Sequence, residues 1–351
     1  MSPDSTASTG AAGASIASWT DPGLFTVAPG VHRVPLPLPT DGLRAVNVYV
    51  LEDGDGLVLI DSGWALTESR EALAAALAAL GCGLGDVRHF LVTHVHRDHY
   101  GLAVTLRREY GNQVSLGAGE EPAITLLSEP MRRPMSGRVE EMRRYGATEL
   151  VNWLMSRMDQ MHHDPAAWAP PDDWLQDDQT VTVPARTLRV IATPGHTRGH
   201  VVFVDAEARM MFAGDHVLPH ITPSIGFEAY RSEQPLGSYL DSLRLVRGLP
   251  DQRLLPAHGP VSPSVHARVD QLLDHHAHRL DQAVVAVGEG GTAFDAAQRL
   301  TWTRRERKLA DLDEFNQMLA VAETAAHLDL LVAQGRLRST DTEGVLFYQS
   351  G

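Results

Sequence analysis

Within six residues, His94, His96, Asp98 and His99 place three imidazoles and a carboxylate in the stretch Thr93-His94-Val95-His96-Arg97-Asp98-His99-Tyr100-Gly101. Neutral imidazole and carboxylate together suit zinc, iron or manganese, and no cysteine is needed. The apolar run Phe90-Leu91-Val92 just before them predicts a buried strand. An extended chain leaving its end sends His94 and His96 to one side, where both can grip one ion. Asp98 and His99 fall where the backbone turns into the next element, so they aim at a neighbouring point. The residues alone therefore predict one ion on His94 and His96 and a second on Asp98 and His99.

Three further junctions repeat the pattern of an apolar strand ending in a Gly-flanked His or Asp. They are Thr193-Pro194-Gly195-His196-Thr197-Arg198-Gly199-His200, Ala213-Gly214-Asp215-His216, and Leu254-Leu255-Pro256-Ala257-His258-Gly259. Ligand sites in α/β sheets form along such strand ends, so these segments can converge on the first. Asp61, also at a strand end, fits equally a turn residue or a carboxylate that orients a metal-bound histidine. His162-His163-Asp164 point in different directions and read as surface structure. His275, His276 and His278 read as exposed or packed helix residues, with one of them able to reach toward the site as the alternative.

The elements that must position these residues begin with strands at Val31–Leu36, Val46–Leu51 and Leu57–Ile60, the last two joined by the hairpin signal Asp53-Gly54-Asp55-Gly56. A helix follows from Thr67 to Leu80, capped by Thr67 and stopped by Gly81. Further helix is expected over Leu102–Tyr110 and strand over Val114–Ala118. The segment from Glu120 to Asp177 differs in kind, holding six of the ten methionines and half of the six tryptophans. Helix is expected there from Ser136 to Gln160. This adaptable apolar surface suits equally a packing contact and a substrate-facing lid. Strands return at Val181–Val183, Thr187–Ala192, Val201–Asp205 and Met210–Ala213. From Ser264 helices take over, at Val265–Val287, Thr292–Leu300 and Asp313–Gln334, and a small hairpin closes the chain in a winged-helix-like order.

With 351 residues and 43% hydrophobic content, the chain suits one large α/β domain and a smaller module. We divide it into a disordered tail (1–22), a catalytic domain (23–262) with the insertion at 120–177, and the helical module (263–351). No apolar run is long enough to cross a bilayer. The start of the chain lacks the features of a secretory signal, which gives a cytoplasmic expectation. The single cysteine, Cys82, excludes an internal disulfide. A net charge of -14 disfavours general attraction to nucleic acid. The tail module agrees, with nine Lys and Arg against thirteen Asp and Glu from Ser262 onward, and reads as structural or homodimerising.

With these residues in hand, the chain resembles the metallo-β-lactamase superfamily over roughly Gly30 to Gly259. Residues after Pro260 look similar to the winged-helix-like tail of the subgroup that includes the human mitochondrial lactamase-like endoribonuclease. The resemblance implies an αββα four-layer sandwich with metals at one edge. It also implies His94, His96 and His196 on one divalent ion, Asp98, His99 and His258 on a second, and Asp215 bridging. Retention of His96, where flavo-diiron relatives carry glutamate, favours hydrolysis over oxygen reduction. Asp215, where many true β-lactamases carry cysteine, suits the thioesterase, lactonase and nuclease branches.

Two such ions would share a hydroxide that attacks carbonyl or phosphorus, with Asp98 orienting it and shuttling a proton. A thiolate leaves without protonation, so a thioester needs little beyond the metals. An amine or alkoxide needs an acid, for which His220 and Tyr230 are candidates. The expected function is hydrolysis of an acyl-CoA, acyl-carrier-protein or similar thioester. The alternatives are a lactonase, a phosphodiesterase or nuclease of the same fold, or an iron-dependent dioxygenase.

Overall fold

In a strand, successive side chains point to opposite faces, so a strand that is apolar throughout must be covered on both sides. The central strands here are of that kind, and the computed structural model shows what covers each face. It describes residues 18–39, 42–54, 56–130, 135–158, 160, 163–183, 186–303 and 305–351. Most of the expected N-terminal tail, Met131, Met161 and His162 lie outside these residues.

The first sheet runs in chain order, β1 (Phe25–Ala28), β2 (Val31–Pro37), β3 (Ala45–Asp53), β4 (Gly56–Ile60), β5 (Val87–Val92), β6 (Gln113–Gly117) and β7 (Asp173–Leu175). Its first four strands form an antiparallel meander, and β4 to β7 are parallel. The second sheet contains β8 (Thr180–Val183), β9 (Arg186–Ala192), β10 (Val201–Asp205), β11 (Met210–Gly214) and β12 (Arg253–Pro256), with only β11 and β12 parallel.

Leu57, Leu59, Phe90 and Val92 face an outer apolar layer formed with α1 (Thr67–Ala78), α2 (Arg97–Tyr110) and α3 (Glu121–Leu127). Their neighbours Val58, Ile60 and Leu91 turn the other way and meet Phe203 and Phe212 between the sheets. On the far face of the second sheet, Val202, Val204, Met211 and Ala213 pack under the remaining helices. These are α4 (Ser136–Arg144), α5 (Thr148–Met158), α6 (Pro235–Arg247), α7 (Val265–Val287), α8 (Ala293–Arg299) and α9 (Glu314–Ala333). Helix, sheet, sheet, helix is the expected four-layer sandwich, and the chain ends in the hairpin β13 (Leu337–Thr342) and β14 (Val345–Ser350).

Several local expectations change. The helix expected over Ser136–Gln160 is two helices, because the chain turns between Tyr145 and Ala147 with Gly146 at φ 79°. Thr67 is the first helical residue rather than the cap, and Leu66 precedes it without a side-chain cap. Helix α2 starts at Arg97, five residues before the apolar periodicity begins, so it takes in Asp98 and His99. The short strands β1 and β7 and the helices α3 and α6 went unanticipated.

Much of the apolar face of the insertion is packed. Val139, Met142, Tyr145, Leu150, Val151 and Leu154 lie in the same buried cluster as Leu236, Leu272, Val321 and Leu328 of the later helices. The helices after Ser262 likewise share that cluster rather than enclosing a core of their own. His276 is buried there with its Nδ1 3.2 Å from His327 Nε2, while His163 sits against the Glu129 carbonyl.

The two sheets come into backbone contact where β6 ends and the segment before β10 passes over it. A Cβ on Gly199 would stand 2.1 Å from the Glu120 nitrogen, and one on Gly117 would stand 2.1 Å from the Gly199 oxygen. Backbone therefore touches backbone here, with no flexible side chain to give way. Gly199→Ala is expected to destabilise the fold by about 1–3 kcal/mol, read from a denaturant transition. A midpoint equal to that of the unmodified protein would show that the crossing is looser than described.

Candidate metal centre

The parallel strands β4 and β5 and the strands β9, β11 and β12 all end at one edge of the sandwich, and each delivers its polar residue there. His94 follows β5, His96 precedes α2, and Asp98 and His99 occupy its first turn. Asp98 thereby sits at the positive end of the helix dipole. His196 follows β9, Asp215 follows β11 and His258 follows β12.

The structure brings all seven together in two adjoining groups, His94, His96, His196 and Asp215 in one and Asp98, His99 and His258 in the other. In the first, His96 Nδ1 lies 3.0 Å from both His94 Nε2 and His196 Nε2. Tetrahedral zinc with Zn–N near 2.0–2.1 Å requires nitrogens about 3.3 Å apart, so this triangle is close to the size such an ion sets. In the second, Asp98 Oδ2 is 3.4 Å from His258 Nε2 and 3.5 Å from His99 Nε2. Asp215 stands between them, with Oδ2 3.4 Å from His196 Nε2 and Oδ1 3.4 and 3.7 Å from His258 Nε2 and His99 Nε2.

Three of these buried atoms, His99 Nε2, His258 Nε2 and Asp215 Oδ1, have no hydrogen-bond partner. Buried polar atoms left this way are costly unless something else satisfies them. A divalent cation at their meeting point would do so, and the donor set fits one.

For His94, His99, His196 and His258, what turns the lone pair inward is the hydrogen bond on the far side of the ring. Asp61 Oδ2 holds His99 Nδ1 at 2.8 Å. Its Oδ1 accepts from the Thr93 nitrogen at 2.8 Å and the Thr93 hydroxyl at 3.0 Å, and that hydroxyl lies 3.1 Å from His94 Nδ1. Asp61 is thus the orienting carboxylate of the two readings its sequence allowed. His196 Nδ1 donates to the Ser224 carbonyl at 2.7 Å, and His258 Nδ1 to the Ala45 carbonyl at 2.8 Å.

Other supporting residues escaped the sequence reading. The Asp215 nitrogen donates to His200 Nε2 at 3.1 Å, with the other nitrogen of His200 2.8 Å from the Thr193 hydroxyl. Asn47 is fully buried and donates to the Pro256 and Gly259 carbonyls on either side of His258. Glu120 accepts from the Val95 nitrogen and the Thr197 hydroxyl, and burial pushes its carboxyl up to about 7. His200 ends the Thr193–His200 turn, where nothing local separates it from a turn residue. Asn47 and Glu120 carried no local signal.

Electrostatically the two groups differ. Burial lowers His94 well below the ordinary imidazole value, His96 to about 3 and His196 to about 4, so their lone pairs are free at neutral pH. Burial also acts on His99 and His258, but carboxylates reverse it: Asp98, Asp61 and Asp215 raise His99 well above its usual value, and Asp215 with Asp98 raises His258. Asp98 is held well below the carboxylate range, its burial outweighed by His99 and His258.

A model of the metallo-beta-lactamase superfamily matches residues 41–258. An atrochrysone carboxyl ACP thioesterase of Aspergillus fumigatus is 26% identical over 246 residues, covering 70% of this chain and 45% of that protein. The chain thus spans less than half the length of that relative. The "Probable metallo-hydrolase YqjP" of Bacillus subtilis is 27% identical over 329 residues, 88% of this chain and 93% of that protein. The crystal structure of a metallo-beta-lactamase family protein from Thermus thermophilus superposes with a TM-score of 0.78 at 28% identity, covering 93% of this chain and 100% of that one. That span is too long to stop before the C-terminal helices.

A proton and a metal ion compete for the same imidazole lone pair, so the ion whose ligands hold protons more tightly is lost first as pH falls. With an ion held by each group, acidification from pH 7 to about pH 5 is expected to weaken the one at Asp98, His99 and His258 before the one at His94, His96 and His196. Chelator competition at a series of pH values measures this. Loss of both ions in a single step would contradict it.

Proposed function

The chain belongs to the metallo-β-lactamase superfamily, and from that membership we propose that it is a two-metal hydrolase of thioesters, acting on an acyl group carried by coenzyme A, an acyl carrier protein or a related thiol. The observation that carries the hydrolytic reading is the place of Asp215, whose two oxygens face the two donor groups separately. One carboxylate shared in this way suits two ions held side by side, zinc, iron or manganese by their donors.

When bound, such a pair supplies a water nucleophile at neutral pH and neutralises charge on the oxygen of the attacked carbonyl. The chain's own part is to hold the donors rigid and to move the proton. Asp98 is ionised, and its Oδ2 is fixed between His99 and His258. It is placed to take the proton from the attacking water and to give it up afterwards to solvent or to the thiolate already released. No serine or cysteine nucleophile is required.

Two points support the thioester. A thiolate departs without an acid, which matches an edge built from ligands and the residues that orient them. One relative also bears the name of an acyl-carrier-protein thioesterase. The apolar faces of α4 and α5 lend no weight, since Val139, Met142, Leu150, Val151 and Leu154 are turned into the packed helical layer. The acidic balance of the chain ranks phosphodiesters below acyl substrates.

One observation favours a second reading, a lactonase. The ring of His220 lies beside Gly259, the residue after His258, its Cδ2 3.8 Å from where a Cβ on Gly259 would stand. An imidazole there can protonate an alkoxide. His220→Ala is expected to leave thioester hydrolysis within about threefold and to lower any lactone hydrolysis by about 10²-fold, measured as kcat/KM on a matched thioester and lactone. Lactone turnover with none on thioesters would replace the first reading with the second.

A further inference from the structure

The segment between β11 and α6 contains neither helix nor strand, yet it carries the Ser224 carbonyl that fixes His196. What gives it shape lies outside the two sheets. From α4, Arg138 is only 7% exposed and donates to the Gly226 carbonyl at 3.4 Å and the Glu228 carbonyl at 3.1 Å. Its guanidinium also lies 3.8 Å from the centre of the Phe227 ring and pairs with Glu141. From α7, Arg268 donates to the Leu218 carbonyl at 2.6 Å and the Ile221 carbonyl at 2.8 Å.

Glu228 closes the connection. Its carboxylate accepts from the Arg198 nitrogen at 3.0 Å, two residues past His196, and from the Ser232 nitrogen at 2.9 Å. The segment therefore holds the His196 turn at two points, the ring through the Ser224 carbonyl and the backbone two residues on, at Arg198, through Glu228. A buried guanidinium costs stability unless its donors are met. Here they are met by the backbone of this segment and by Glu141, so Arg138 is committed to one arrangement of it.

We propose that Arg138 and Glu228 are positioning residues for the His94–His96–His196 half of the metal centre, by which the inserted helix α4 sets the orientation of the His196 ring. This rests on the metal-centre reading. It assigns to the insertion a task at the site that neither a lid nor plain packing describes. The effect is selective, because the Asp98–His99–His258 half takes its orienting bonds from Asp61 and Ala45 instead.

The test titrates the metal-free full chain with zinc and with cobalt(II) against a competing chelator, resolving the first and second ions. In the same samples, NMR follows the His196 Nδ1–H proton that the Ser224 carbonyl protects. Arg138→Ala is expected to weaken one ion about 10–100-fold, to leave the other within about threefold, and to speed exchange of that proton. Arg138→Lys should recover part of both effects. Should Arg138→Ala fail to fold, Glu228→Gln keeps the side-chain volume and reads the same quantities. Equal weakening of both ions, or no change in either with an unchanged His196 proton, would overturn the proposal. An unmodified protein that binds neither metal would instead overturn the metal-centre reading, and the proton exchange alone would then judge this one.

Discussion

The carboxylate of Asp61 links the two halves of the centre. One oxygen holds the imidazole of His99, and the other fixes the backbone and hydroxyl of Thr93, which in turn stands behind His94. It does this from a buried position at a left-handed φ of 62°, a conformation that costs an ordinary residue strain and persists only where the surroundings demand it. Removing it would free one donor of each group at once. Ring orientation and tautomer are the constraint on which everything else rests, since a flipped imidazole presents C–H, and the other tautomer N–H, where a lone pair is needed.

Around that constraint the fold is economical in a geometric sense. Parallel strands of one sheet and the β11–β12 pair of the other bring their ends to a single edge, and the glycine crossing at Gly117 and Gly199 draws the two sheets together beside it. Each ligand then needs only a short turn to reach the cluster. The outer helices do more than cover apolar strands, because α4, α7 and α9 share one buried layer and α4 and α7 bind the segment behind His196.

Much of this was legible in the chain because the informative residues are local. His94, His96, Asp98 and His99 announce themselves by density, and His196, Asp215 and His258 by repeating the strand-then-glycine pattern. The strands that lead to them are apolar on both faces and short, which marks a sheet covered from both sides. What was not legible depends on partners distant in sequence. Asn47 meets the His258 turn from more than two hundred residues away, and nothing near it in the chain signals that. The true start of α2 was hidden because its first turn is made of ligands rather than periodic apolar residues. The use of the methionine-rich insertion could not be read either, since an apolar helical face looks the same whether it covers a substrate or another helix.

The most direct test of a two-ion centre bridged by Asp215 is elemental analysis of metal bound to the purified protein, set beside that of Asp215→Ala. The account predicts two ions per chain in the unmodified protein, the loss of at least one in the variant, and with it nearly all hydrolysis. Two ions retained by the variant with activity intact would contradict it.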